Sequence, residues 1–476
     1  MTGELLLRDV AVNDRRLDVL VVDEVIREVG QSLRPLGNPH VIDGEGGALI
    51  PGLHDHHVHL LAAAAARASV AVGPAEAHGL DGVAALLRKA DASLAPGQWV
   101  RAVGYHDTVA GTLDRYTLDA LVPHRPVRVQ HRSGAEWILN TAAIDSLELE
   151  ATSHAGAERD HNGHLTGRFH RADEWLTSRW PGLGPLDLVG IGAELASNGI
   201  TGVTDATPFR SVEGLHAIAD AAASGALPQR IMAMGGVDIA GSPFAAPLAQ
   251  GPVKLVIDDA HYPSLDILQA SISRAHAHCR PVAIHCVTRA SLVLALAAWE
   301  SAGSRDGDRI EHGSVIPPEV FQAVARLGLT VVTQPAFVSE RGDQYVTDVD
   351  PADLPHLYRC RSLREAGIPV AASSDAPYTR TDPWAAMRAA ATRRTAAGRV
   401  VGPLEAVSPL EALQMYLGHP DRPGGEPRRV AVGAPADLCL LDGPLPTEVH
   451  HLRADRVGTT IVAGSVVTTG MEHARW

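Results

Sequence analysis

Two imidazoles at alternate positions of a strand, His57 and His59 in the run Pro51-Gly-Leu-His-Asp-His-His-Val-His-Leu60, project from one face and can grip a single metal ion from a rigid element. The preceding Gly47-Ala-Leu-Ile-Pro-Gly-Leu53 reads as an apolar strand approach. Alternation then groups Asp55 with His57 and His59, and sets His54 and His56 on the opposite side, where they should pack against helices. With 24 histidines in the chain the pair alone decides nothing. The elements that would bring partners to it carry the argument.

Between residues 51 and 424, β-branched runs alternate with Ala- and Leu-rich amphipathic segments, the pattern of βαβ units around a parallel sheet. The clearest runs are Gly199-Ile-Thr-Gly-Val-Thr, Arg230-Ile-Met-Ala-Met, Val253-Lys-Leu-Val-Ile, Pro281-Val-Ala-Ile-His, Arg309-Ile-Glu-His, Leu329-Thr-Val-Val-Thr-Gln and Ile368-Pro-Val-Ala-Ala-Ser-Ser-Asp. With the strand ending at His59 they make eight, the number that closes a (β/α)8 barrel. The expected fold is therefore α/β, a TIM-like barrel over 51–424 with a large insertion, 61–198, after its first strand as a candidate lid. Short strands at Leu5–Val12, Leu17–Val22 and Val25–Val29, and again near Ala436 and Val457, suggest that 1–50 and 425–476 form one small discontinuous β-sandwich domain.

In such barrels chemistry is built at the C-terminal ends of the strands. His57 and His59 end the first strand, Lys254 lies in the fourth, and His285, His312 and Asp375 end the fifth, sixth and eighth. Imidazole and carboxylate together suit zinc or a similar divalent ion, with a coordination position left for water in a catalytic site. An ammonium has no lone pair, so Lys254 joins such a set only in altered form. Desolvated among metal ions, it would lose its proton and could take up carbon dioxide as a bridging carbamate; the alternatives are snorkelling to solvent or pairing with Asp258 or Asp259.

These positions resemble the amidohydrolase superfamily, and within it the amidohydrolase 3 (YtcJ-like) group that includes N-substituted formamide deformylases. The resemblance rests on Pro51-Gly-Leu with Asp55, Gly199-Ile-Thr, Val253-Lys254, Arg309-Ile-Glu-His312, Gln334-Pro335, Ser373-Ser-Asp375-Ala-Pro377, Ser408-Pro-Leu-Glu-Ala-Leu and Ala436-Asp-Leu. It implies one or two divalent metal ions held by His57, His59, carboxylated Lys254, His285, His312 and Asp375, and it admits a homodimer. It also places Tyr105 and His106 of the insertion near the substrate; a packed loop is the alternative. Gln334, ending the seventh strand, is a second candidate substrate contact or else a structural amide. The chain departs from the group at Ala135, at Cys286-Val287-Thr288 and at Asp259, positions expected to shape the pocket wall.

The activity implied is metal-dependent hydrolysis of a non-peptide C–N bond in an N-substituted amide, formamide or cyclic amide, by a metal-activated hydroxide with Asp375 as general acid and base. An esterase or lactonase on the same site is the alternative within catalysis, and a non-catalytic metal-binding scaffold the alternative outside it. His276 and His278 lie in a helical stretch, where i and i+2 do not share a face. Gly190-Ile-Gly192 lacks a third glycine, and no GxSxG elbow is present.

A formal charge of −14 and the lack of a basic stripe disfavour nucleic-acid binding, which leaves a small-molecule substrate. No apolar run reaches the roughly 18 residues of a membrane span, and the four cysteines form no CxxC pair. The opening Met-Thr-Gly-Glu-Leu-Leu-Leu-Arg lacks the basic start and apolar core of a signal peptide, so a cytoplasmic location is expected.

Overall fold

The computed structural model describes residues 3–35, 37–180, 186–208, 212–239 and 248–469. The chain divides into two compact units, Met1–Leu60 with Leu188–Trp476, and Leu61–Asp187. The insertion read as 61–198 thus ends earlier as a unit. The helix Leu188–Ser197 buries Ile191, Leu195 and Ala196, and Thr460 donates to its Ala196 carbonyl at 2.7 Å.

The first unit is organised by eight parallel strands in chain order: Leu53–Val58, Ile200–Asp205, Arg230–Gly235, Leu248–Val256, Val282–Cys286, Arg309–His312, Thr330–Thr333 and Val370–Ala372. Five of these runs, the first, second, sixth, seventh and eighth, are continuously buried, as expected of parallel strands covered on both faces. The ring closes where the segment after the eighth strand meets the first: Asp375 N donates to His57 O at 2.7 Å and His59 N to Ala376 O at 2.9 Å. The eighth strand is shorter than the run Ile368–Asp375 suggested; beyond Ala372, Ser373 N still bonds Thr333 O at 3.1 Å, and Ser374 and Asp375 pass to the first strand.

The terminal segments supply two four-stranded sheets. One orders Val25–Gly30, Arg15–Val22, Leu5–Val12 and His40–Asp43; the other orders Ser465–Thr469, Val457–Val462, Leu438–Leu441 and Leu49–Pro51. Leu5, Leu7, Val19 and Ile26 of the first sheet share a core with Leu49, Leu438, Leu440 and Ile461 of the second. Residues 470–476 of the expected terminal domain lie outside the described residues. Arg230 at the start of the third barrel strand donates to Asp437 at 2.6 Å, tying barrel to sheets.

The second unit holds a six-stranded sheet running Ala157–Arg159, Leu165–His170, Glu136–Leu139, Val127–His131, Val100–Tyr105 and Val70–Ala71. One apolar cluster gathers Val83, Leu87, Val100 and Val127, and another gathers Trp137, Leu139, Ile144 and Phe169. Among the described residues no helix is long and apolar enough to cross a membrane.

Candidate metal centre

His57, His59 and Asp375 converge at the C-terminal mouth of the barrel. Asp375 Oδ1 lies 3.4 Å from His57 Nε2 and 3.3 Å from His59 Nε2, and its Oδ2 lies 3.9 Å from His312 Nδ1. The His312 ring sits 4.8 Å from His57 and 4.5 Å from His285, centroid to centroid. His312 (φ 66°) and Asp375 (φ 58°) both hold left-handed backbone conformations, which residues with a Cβ adopt at a cost. The two strained positions aim their side chains into one cluster.

His57 and His59 each engage a neighbouring strand end through Nδ1, away from Asp375, and His312 does so through the nitrogen nearer Asp375. His57 Nδ1 donates to Glu311, His59 Nδ1 pairs with Thr207 Oγ1 at 3.0 Å, and His312 Nδ1 donates to Gln334 Oε1 at 2.9 Å. Burial holds the imidazoles of His57 and His312 well below the ordinary range, which favours the neutral ring with a free lone pair.

The residues fit a divalent cation. His57 Nε2 and Asp375 Oδ1 are buried and make no hydrogen bond, although they face one another. Two acceptors turned together without a proton repel unless a cation lies between them. Ligand atoms about 2.0–2.1 Å from a tetrahedral ion sit roughly 3.3 Å apart, which matches the separations around Asp375 Oδ1.

Lys254, 6 % exposed, neither snorkels nor pairs with an aspartate: its Nζ is buried without a hydrogen-bond partner. Burial pushes its pKa down, against the opposing pull of Glu311 and Asp375. Register pairs Lys254 with Ala283 and that residue with Arg309, so Lys254 lies beneath the half-buried His285, two residues beyond Ala283. His57, His59 and Asp375 come together as one candidate cation site, His312 and His285 pack beside them, and Lys254 lies one pleat deeper.

His54 and His56 are both buried. The pairing of the first and second strands shifts register between Val203 and Asp205, opposite the stretch from Asp55 to Val58, and strict alternation fails there. His54 Nε2 bonds to Thr204 Oγ1 of the neighbouring strand at 2.9 Å, the His56 ring lies 4.6 Å from it, and Asp55 turns to Ser374.

Gln334 is wholly buried, and its amide bonds to His312, to Ser373 Oγ at 3.0 Å and to Val332 O. Tyr105 is buried in the core of the second unit and donates to the Gly111 carbonyl. His106 is half-buried; its Nδ1 accepts from Thr108 N at 3.2 Å to cap the following helical turn, and its ring lies 5.3 Å from His131.

Several contributors were not read from the sequence: Glu311, Thr207, Ser374 and Asp205. Asp205 accepts from Leu60 N at 3.0 Å and Thr207 N at 2.9 Å, fixing the loop that carries the His59 partner. The departures at Asp259 and Thr288 meet one another. Thr288 Oγ1 donates to Asp259 Oδ1 at 2.7 Å, and Tyr262 OH donates to the same oxygen at 3.0 Å. Cys286 lies buried with its thiol pushed up by burial and its Sγ near the Ser291 carbonyl, an inert packing role.

Comparison with known proteins finds relatives over most of the chain. The amidohydrolase family model Amidohydro_3 matches residues 40–468. An N-substituted formamide deformylase from Arthrobacter pascens is 28% identical over 89% of both chains, and a putative amidohydrolase, YtcJ, from Bacillus subtilis is 22% identical over 95% of this chain and 96% of that one. Among solved structures, a metal-dependent hydrolase of Pyrococcus horikoshii shares the fold with a TM-score of 0.75 at 18% identity, covering 94% of this chain and 99% of the other. N-isopropylammelide isopropylaminohydrolase from Burkholderia multivorans shares it at 0.55 and 17% identity, covering 98% and 99%. The chain belongs to the amidohydrolase family and is a hydrolase of carbon–nitrogen bonds.

Proposed function

We propose that this protein hydrolyses a non-peptide C–N bond of an N-substituted amide, formamide or cyclic amide, using a divalent centre held by His57, His59, Lys254, His285, His312 and Asp375. The observation that carries the reading is the convergence of His57 Nε2 and His59 Nε2 on an Asp375 oxygen that makes no hydrogen bond. The similarity to a formamide deformylase favours the substrate class. Zinc suits the nitrogen and oxygen donors, and a divalent ion bound there supplies a water of lowered pKa and a polarised carbonyl. Lys254 joins as a carbamate: its neutral Nζ forms a bond to the carbon of carbon dioxide and releases one proton. The burial and unpartnered state of that nitrogen support this.

Asp375 moves the proton. Its carboxylate takes a proton from the attacking water as the new C–O bond forms, then passes it to the nitrogen as the C–N bond breaks, so the products are a carboxylic acid and an amine. Its anchors, His57 O on its own N–H and Asp55 on the preceding Ser374, keep the carboxylate aimed while it acts. The test is a screen of N-substituted formamides, N-acyl amines and cyclic amides with metal-loaded enzyme, reading amine release. Cleavage of a C–N substrate, lost in Asp375→Asn, is expected; cleavage confined to esters and lactones overturns the reading.

A further inference from the structure

The carboxylate beneath His57 is neither a ligand nor a surface charge. Glu311 is wholly buried, and one of its oxygens accepts from His57 Nδ1. The other accepts from Arg309 Nε at 2.5 Å. The same guanidinium donates through Nη2 to the His56 carbonyl at 3.1 Å. One arginine thus holds both the backbone leading into His57 and, through Glu311, its ring. Arg309 itself is 1 % exposed, so neither charge is relieved by water.

We propose that Glu311, fixed by Arg309, is the positioning residue that makes His57 a metal ligand through Nε2. This inference rests on the metal-centre reading above. A neutral imidazole carries one ring proton, and an ionised carboxylate only accepts, so the proton is drawn to Nδ1 and the lone pair stays on Nε2. That nitrogen faces Asp375 Oδ1 at 3.4 Å. The negative charge behind the ring also increases the electron density offered to a cation, the effect by which outer carboxylates strengthen metal-bound histidines. Without Glu311 the ring is free to take the other tautomer or to rotate, and the pairing with Asp375 is lost. A purely structural ion pair between Arg309 and Glu311 would not need the second carboxylate oxygen on His57.

Metal-free protein titrated with Zn²⁺ against a competing chelator, and with Co²⁺ followed by visible absorption, tests this without reference to turnover. Glu311→Leu should weaken Zn²⁺ binding by about 10–100-fold and alter the Co²⁺ spectrum. Glu311→Gln keeps the shape and an oxygen able to accept from Nδ1, so it should recover part of the affinity. It also serves as the folded variant if the leucine change disrupts the barrel. Wild-type affinity and an unchanged Co²⁺ spectrum in Glu311→Gln and in folded Glu311→Leu overturn the proposal alone. If the wild-type protein binds no metal, or His57→Ala binds as well as wild type, the metal-centre reading falls with it.

Discussion

Asp55 and Ser374 lock the first barrel strand to the turn beyond the eighth: Ser374 N donates to Asp55 Oδ1 at 3.0 Å and the Ser374 hydroxyl to Oδ2 at 2.5 Å. Asp55 Oδ1 also accepts from His57 N at 3.2 Å. Burial pushes the Asp55 carboxyl up to about 6, against the opposing effect of these donors. The residue next to Ser374 is Asp375 and the residue two beyond Asp55 is His57, so this one carboxylate sets the separation of two candidate ligands. Asp55→Ala strips buried N–H groups of their acceptor and should cost about 1–3 kcal/mol, read as a lower denaturation midpoint, together with weaker metal binding. An unchanged midpoint and affinity would refute the role.

Asp375→Asn keeps the size and one coordinating oxygen while removing the proton acceptor. It should lower kcat on an identified amide by roughly 10²–10⁴-fold while metal content stays near the wild-type level. Parallel kinetics and elemental analysis of the same preparation check both halves. Near wild-type turnover would remove Asp375 from proton transfer.

Gln334 separates a substrate contact from a ligand-orienting one. Because its carbonyl faces His312 Nδ1 and its amide faces Ser373, Gln334→Leu should reduce metal affinity by about 10-fold or more. Once metal is saturating, KM should change little. A raised KM with unchanged metal affinity would return Gln334 to the substrate pocket.

Thr288 caps the helix Arg289–Ala302 with a reciprocal Ser291 partner, and it also bonds Asp259 from the loop after the fourth strand. Thr288→Val removes both and should destabilise the protein by about 1–2 kcal/mol. Thr288→Ser, which retains the hydroxyl, should recover most of it. Equal denaturation midpoints for Val and Ser variants would show that the Asp259 contact carries no stability.

The barrel strands were legible because parallel strands buried on both faces read as apolar runs, and polar residues ending those runs stand out. Lys254, His285 and His312 are visible that way. The bond of His54 to Thr204 was not, because it joins residues distant in the chain, beside a register shift opposite Asp55–Val58 that no local signal announces. A second irregularity, between Ala102 and Tyr105 and next to Gly104 at φ 81°, brings Tyr105 into the same core as Val100 and Ala102. Glu311 did leave a trace: Arg309 and Glu311 are opposite charges two apart in a short buried strand, where neither survives unpaired. Thr207 left none, since its contact to His59 joins residues distant in the chain; Gln334 stood out as the polar end of the seventh strand, but its contact to His312 did not.

The central claim is that the histidine pair of the first strand and Asp375 form a divalent-metal centre that hydrolysis requires. Elemental analysis of protein purified without chelator, beside His57→Ala/His59→Ala purified identically, tests it most directly. The account predicts at least one divalent ion per wild-type chain, its loss in the double variant, and amide hydrolysis that a chelator abolishes and added Zn²⁺ restores. Wild-type protein with near-zero metal, or a double variant that retains the full complement, would contradict it.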